Sequence, residues 1–279
     1  MNEQSTNRKP MNKPTFDPSA FTTSKAKPLP VILLLDVSAS MGEVVAGSFN
    51  RTGKTVFKDG KNWEIVEGGI TRIQLLNEAV RKMLVTLTKE ETMGTEYLVS
   101  IITFGADTRL QLAPTKAGNV NWTDLTPDGE TPLGSALALA KKFIEDREKT
   151  PSRAWRPTVV LVSDGKPTDI WENALAEFIT LGRSSKCDRM AMAIGAEADT
   201  AMLGRFIAGT GHELFQADQA ESVQEFFKRV TMSVVSRTHS QNPNIIPSDS
   251  NVLLDGPSKK TAAKSPEAGP DTAEDEGYW

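Results

Sequence analysis

The chain has 279 residues, of which 38% are apolar and 24% charged, and its formal net charge is −4. That balance gives no global reason to expect nucleic acid, and no run of about 18 apolar residues is present to span a membrane. A single cysteine, Cys187, excludes an internal disulfide framework and a cysteine-based zinc site, so the expected address is a reducing cytoplasm.

Residues 1–28 are polar and proline-dotted, without the continuous apolar stretch of a secretory signal, and read as a disordered arm. Val31 to Leu35 is apolar without alternation, which is the pattern of a short strand buried on both faces. It runs into Asp36, Ser38, Ser40 and a turn at Gly42. Next, Thr55 to Lys58 and Asn62 to Val66 flank Asp59-Gly60, so a small β-hairpin is expected within residues 43–70, on the same face as the Asp36 loop. Gly47 to Thr55 looks like a phosphate-binding loop only superficially. Five residues separate its glycines where the motif needs four, and a hairpin rather than a helix follows, so no nucleotide is expected there.

Thr71 to Gln74 forms a capping box, and Ile73, Leu76, Val80, Met83, Leu84 and Leu87 follow at helical spacing, so residues 72–89 form an amphipathic helix. Glu96 to Phe104 reads as a strand and Arg109 to Leu112 as a short edge strand, with a loop over 113–132. Leu133 to Glu148 is helical, and Thr158 to Ser163 is a fully apolar strand running into Asp164-Gly165. Residues 169–184 read as a helix capped by Thr168 and Asp169, Arg189 to Gly195 as a strand and 199–207 as a short helix. Glu213 to Gln216 reads as a short strand and 218–235 as a last helix. From Arg237 onward periodicity vanishes, and residues 237–279 read as a disordered tail ending in the acids Asp271, Glu274, Asp275 and Glu276.

Strands alternating with helices over residues 29–236 predict an α/β domain. Its core is a doubly wound, mostly parallel six-stranded sheet with helices on both faces and the hairpin inserted. Ligands of such sheets bind beyond the carboxyl ends of the strands, where strand order reverses. Asp36 follows the first strand and Asp164 the fourth. Asp36, Ser38 and Ser40 together form an oxygen-only donor set suited to Mg²⁺ or Mn²⁺. The same residue types also serve as turn formers and caps, as do Thr131 before Pro132 and Asp164 before Gly165.

Three motifs occur in order: Asp-x-Ser-x-Ser at Asp36, Gly-x-Thr-Pro-Leu-Gly around Thr131, and Ser-Asp-Gly at Asp164. Together they resemble the von Willebrand factor A domain with its metal-ion-dependent adhesion site. More loosely, the surrounding segments resemble the bacterial TerY-type proteins of tellurium-resistance and stress-response clusters. The resemblance implies a divalent cation, Mg²⁺ or Mn²⁺, held directly by Ser38, Ser40 and Thr131. Asp36 and Asp164 then act on it directly or through water. It further implies a protein partner that supplies a carboxylate to the ion, and a scaffold role beside phosphatases and kinases.

The competing reading is a metal-assisted phosphohydrolase of the haloacid-dehalogenase kind, which needs an acid two residues after its nucleophilic aspartate. Ser38 holds that position, and no Ser-His-Asp or Cys-His set is visible, so the chain is not expected to be an enzyme. A structural subunit with an empty site is a third reading. His212 and His239 are expected at the surface, since no second histidine or cysteine joins either. Trp122 and Trp155 are placed near the site face, with semi-buried packing as their commoner role. The tail acids are either a solvated extension or a carboxylate source for the ion.

Overall fold

A computed structural model describes residues 26–58, 60–91 and 95–246. The greater part of the expected arm, Asp59 of the hairpin turn, and the tail acids lie outside those residues. The chain opens on strand β1 (Lys27–Asp36). A ribbon of β2 (Val44–Lys58) and β3 (Lys61–Thr71) follows, then helix α1 (Arg72–Glu90). Next come β4 (Thr95–Phe104), β5 (Thr108–Lys116), α2 (Leu133–Glu145), β6 (Thr158–Ser163) and α3 (Glu172–Thr180). The last elements are β7 (Asp188–Ile194), α4 (Thr200–Ile207), β8 (Phe215–Ala217) and α5 (Ala220–His239).

The main sheet has six strands in the order β5-β4-β1-β6-β7-β8, and only β5 is antiparallel to its neighbour. The uninterrupted apolar run of β1 follows from this position. Val31, Leu33 and Leu35 face one side, where they meet Leu76, Val80 and Leu87 of α1 and Phe226, Phe227 and Val230 of α5. Ile32 and Leu34 face the other, against Leu137 and Ile144 of α2, Phe178 of α3 and Phe206 of α4. Both faces are covered, so alternation has nothing to distinguish. The chain moves outward from β1 through β4 and β5, then returns to the opposite side with β6. The order therefore reverses between β1 and β6, and Asp36 and Asp164 follow those two strands. No helix among the described residues is long and apolar enough to cross a membrane.

Several boundaries differ from those expected. β5 runs to Lys116 because it is an edge strand whose burial alternates, so Pro114 costs no sheet hydrogen bond there. α3 ends at Thr180, since Gly182 adopts φ +73°, a left-handed conformation that closes a helix. The ribbon is longer than the hairpin turn alone implies. β2 uses 15 residues against 11 in β3, with register shifts at three points. Extra residues on one strand bend and twist such a ribbon.

His212 is a correction: it is buried, not superficial, and its Nε2 lies 2.8 Å from Asp188 Oδ1. Arg237, expected to begin the tail, is fully buried beside them. Its Nη1 donates to Thr158 Oγ1 at 2.7 Å and lies 3.5 Å from Asp188 Oδ2, while Nε donates to the Pro243 carbonyl at 2.9 Å. This polar knot sits at the amino ends of β6 and β7, on the side of the sheet away from Asp36. Trp155 is at that same far end, under Lys27 Nζ at 3.6 Å from the ring centroid, so its placement near the site face was wrong. Trp122 is half-buried against the α1–α5 layer and donates to Asp124 at 2.9 Å.

Asn77 holds the long loop after β5. Its Nδ2 donates to the Leu125 carbonyl at 2.9 Å and its Oδ1 accepts the Leu125 amide at 2.8 Å, imitating a strand partner. Asn77→Ala leaves both buried backbone groups unpaired and is expected to cost about 1–3 kcal/mol. Urea denaturation measures it, and a loss below about 0.5 kcal/mol would show that the loop is held by other contacts.

Candidate metal centre

β1 ends at Asp36, and a short 3-10 turn, Ala39–Gly42, takes the chain out of the sheet. Asp36 is fully buried. Its Oδ1 accepts the Ser38 amide at 2.8 Å and its Oδ2 the Ser163 hydroxyl at 2.7 Å, so its own loop and the end of β6 fix it together. Ser38 Oγ lies 3.0 Å from Ser40 Oγ, which donates to Asp164 Oδ1 at 2.8 Å.

Thr131 arrives on a third loop. Its amide donates to Thr168 Oγ1 at 3.2 Å, and the Thr168 amide donates to the Thr131 carbonyl at 3.0 Å, strapping this loop to that of Asp164. A Cβ on Gly165 would lie 3.4 Å from Thr131 Oγ1 and 3.9 Å from Ser40 Oγ. The three loops close on that point. Ser38, Ser40, Thr131 and Asp164 line one cleft of about 410 Å³, with Asp36 buried behind them. All five expected residues are therefore brought together.

Asp169 does something other than expected. It caps α2, not the helix that follows it: Oδ1 accepts the Gly134 amide and Oδ2 the Ser135 amide, both at 2.8 Å. This ties the turn after Thr131 to the segment after Asp164 a second time.

Sequence reasoning missed Arg72. Buried at the start of α1, it donates to Asp164 Oδ2 at 2.9 Å and pairs with Glu43 Oε2 at 2.8 Å. An arginine in a first helical turn opposes the helix dipole, and that misfit is the one local sign of a dedicated acidic partner. Ser163 and Trp63, which also lines the cleft, went unnoticed too.

Burial, and then the nearby Asp164 charge, push the Asp36 carboxyl up to about 7. Burial also raises Asp164, against the opposing pull of Ser40 and Arg72. A cation fits this set. Two carboxylates held where ionisation is costly lie against a cluster of hydroxyls, and no described residue bonds the Thr131 hydroxyl. Among the described residues no three His, Cys, Asp or Glu side chains converge, so the donors suit a hard ion that prefers oxygen.

Residues 31–166 match the model of the von Willebrand factor type A domain. The fold is a von Willebrand factor A fold. Proximal thread matrix protein 1 from the mussel byssus superposes with a TM-score of 0.51 at 14% identity, over 74% of this chain and 46% of that one. Its form with a zinc-occupied MIDAS motif gives 0.50 at 14%, over 75% and 46%. The ArnB paralog VWA2 from Sulfolobus acidocaldarius gives 0.50 at 12%, also over 75% and 46%. At these identities the likeness is one of fold, and this chain spans less than half the length of those proteins. No curated protein sequence matches it.

The raised carboxyls carry a pH signature. Between the ordinary carboxylate range and about 7, the native state binds more protons than the unfolded state, so the metal-free protein loses stability as pH rises through that window. A divalent cation relieves the ionised pair. Saturating Mn²⁺ is therefore expected to raise Tm more at about pH 8 than at about pH 5.5. Equal shifts in scanning fluorimetry would show that these carboxyls do not face the ion.

Proposed function

We propose that this A domain is a metal-dependent protein-binding module. Ser38, Ser40 and Thr131 hold Mg²⁺ or Mn²⁺ directly, and Asp36 and Asp164 supply charge and orient water. The ion contributes an electrophilic position that accepts a carboxylate from the partner. Hydroxyl donors neutralise little of the ion's charge, so an incoming acid meets a strongly attracting site. One observation carries this reading: hydroxyls from two separate loops and the Asp164 carboxylate meet in one open cleft at the reversal point of the sheet.

The role we assign is binding rather than catalysis. Asp36 has Ser38, not an acid, two residues on, and both its oxygens are tied down, which leaves it poorly placed as a nucleophile. The looser resemblance to tellurium-resistance proteins favours a cytoplasmic scaffold whose partners include phosphatases or kinases. Calorimetric titration with Mn²⁺ and Mg²⁺ tests the metal. Capture of partners from the native cell with and without EDTA tests the bridge, beside Asp36→Ala. No heat from either ion would overturn the reading. So would capture that ignores EDTA, or phosphatase turnover that needs Asp36.

A further inference from the structure

The cleft is larger than one carboxylate needs, and one wall is not built from metal loops. That wall is Trp63 of β3. In the ribbon register Trp63 stands opposite Val56, and Ile65 shares its face two residues on. Trp63 is half-buried, whereas Val56 and Ile65 are 48% and 43% exposed. The ribbon is a separate two-stranded sheet with an irregular register, and Trp63, near its tip, lines the cleft although the ribbon's root is at Val44 and Thr71. Isolated two-stranded ribbons are marginal in water, yet this one exposes Val56 and Ile65 on the face that carries Trp63 to the cleft.

The charges around the mouth narrow the occupant. Besides Asp164, three acids line it, Glu43, Glu130 and Glu197, against Lys166 and the buried Arg72. Glu43 is engaged by Arg72 at 2.8 Å, but Glu130 and Glu197 form no ion pair among the described residues. A strongly acidic ligand would be repelled there. A segment with one acid for the ion and a basic residue for the rim would not.

We propose that the β2–β3 ribbon is the specificity half of the partner site. The occupant is a polypeptide segment with one carboxylate for the ion, an aliphatic or aromatic side chain beside it that packs on Trp63, Val56 and Ile65, and a Lys or Arg that faces Glu130 and Glu197. The inference rests on the metal-bridge reading, and the experiment separates the two. A displayed peptide library with a fixed central aspartate and random flanks is panned on the full chain in Mn²⁺ and in EDTA. Metal-dependent clones are expected to carry an apolar residue within two positions of the aspartate and a nearby Lys or Arg. Trp63→Ala, and Trp63→Leu as a milder change, should weaken the best clone by about tenfold or more for alanine and less for leucine. Glu130→Lys combined with Glu197→Lys should turn the flanking preference from basic to acidic, an outcome that misfolding cannot produce. Metal-dependent clones without flanking preference, or equal binding by the Trp63 variants, would overturn this proposal and leave the metal bridge standing. A library that enriches nothing in Mn²⁺ over EDTA would overturn both.

Discussion

Arg237→Ala is expected to destabilise the fold by about 3–5 kcal/mol, enough to leave a marginal domain partly unfolded at growth temperature. The guanidinium is fully buried at the end of α5 and meets four partners: Thr158 Oγ1, Asp188, and the Arg156 and Pro243 carbonyls. Alanine removes the cation and leaves the buried carboxylate of Asp188 with His212 at 2.8 Å and the Thr158 hydroxyl at 3.3 Å, neither of them a permanent charge. Both carbonyls lose their donor as well. Arg237→Lys keeps a charge but not the planar fork, so it should recover only part of the loss. Urea unfolding of the three proteins measures this. A cost under about 1 kcal/mol for alanine would mean that the knot contributes little and that α5 is held by Phe226, Phe227 and Val230 alone.

The second large effect splits two aspartates that look equivalent in sequence. Asp36→Asn and Asp164→Ala are both expected to abolish the thermal shift given by Mn²⁺. Their metal-free stabilities should move in opposite directions. Asp36 is raised to about 7 by burial, so an uncharged isostere relieves a strained charge. Its Oδ1 still accepts the Ser38 amide, and the Ser163 hydroxyl can rotate to accept instead of donate. A gain of order 1–2 kcal/mol near pH 8, vanishing in acid, is expected. Asp164 instead neutralises buried Arg72 at 2.9 Å. Asp164→Ala leaves that buried guanidinium only the exposed Glu43, at 2.8 Å, as a charged partner and should cost about 1–3 kcal/mol. Chemical denaturation in EDTA decides it. Equal losses for both variants would mean that Asp36, too, is paired with a cation in the native protein.

The contrast between these two residues also marks how far a single sequence could be read. The apolar run into Asp36, the apolar run into Asp164, and the loop at Thr131 were legible because each is a local pattern with a meaning of its own. The topology then followed from alternation. What failed is non-local. Nothing near Asp169 says that it reaches back to the amides of Gly134 and Ser135. His212 reads as a lone histidine until Asp188 and Arg237, from two other elements, stand beside it. Arg72 fits a helical pattern, and only its awkward place at a helix start hints at Asp164. Polar contacts between distant elements leave no periodicity, so the sequence shows where a site opens but not what braces it.

The central strand has one more consequence, for synthesis rather than for binding. β1 is made first yet lies between β4 and β6, and it can pair on both edges only after the chain has been made as far as Ser163. Until then Val31 to Leu35, the most water-averse segment of the molecule, has an open edge. Long-range parallel pairing is slow, and exposed strands of this kind seek one another. Nascent chains interrupted before β6 should therefore aggregate or recruit chaperones, whereas chains extended through α5 should not.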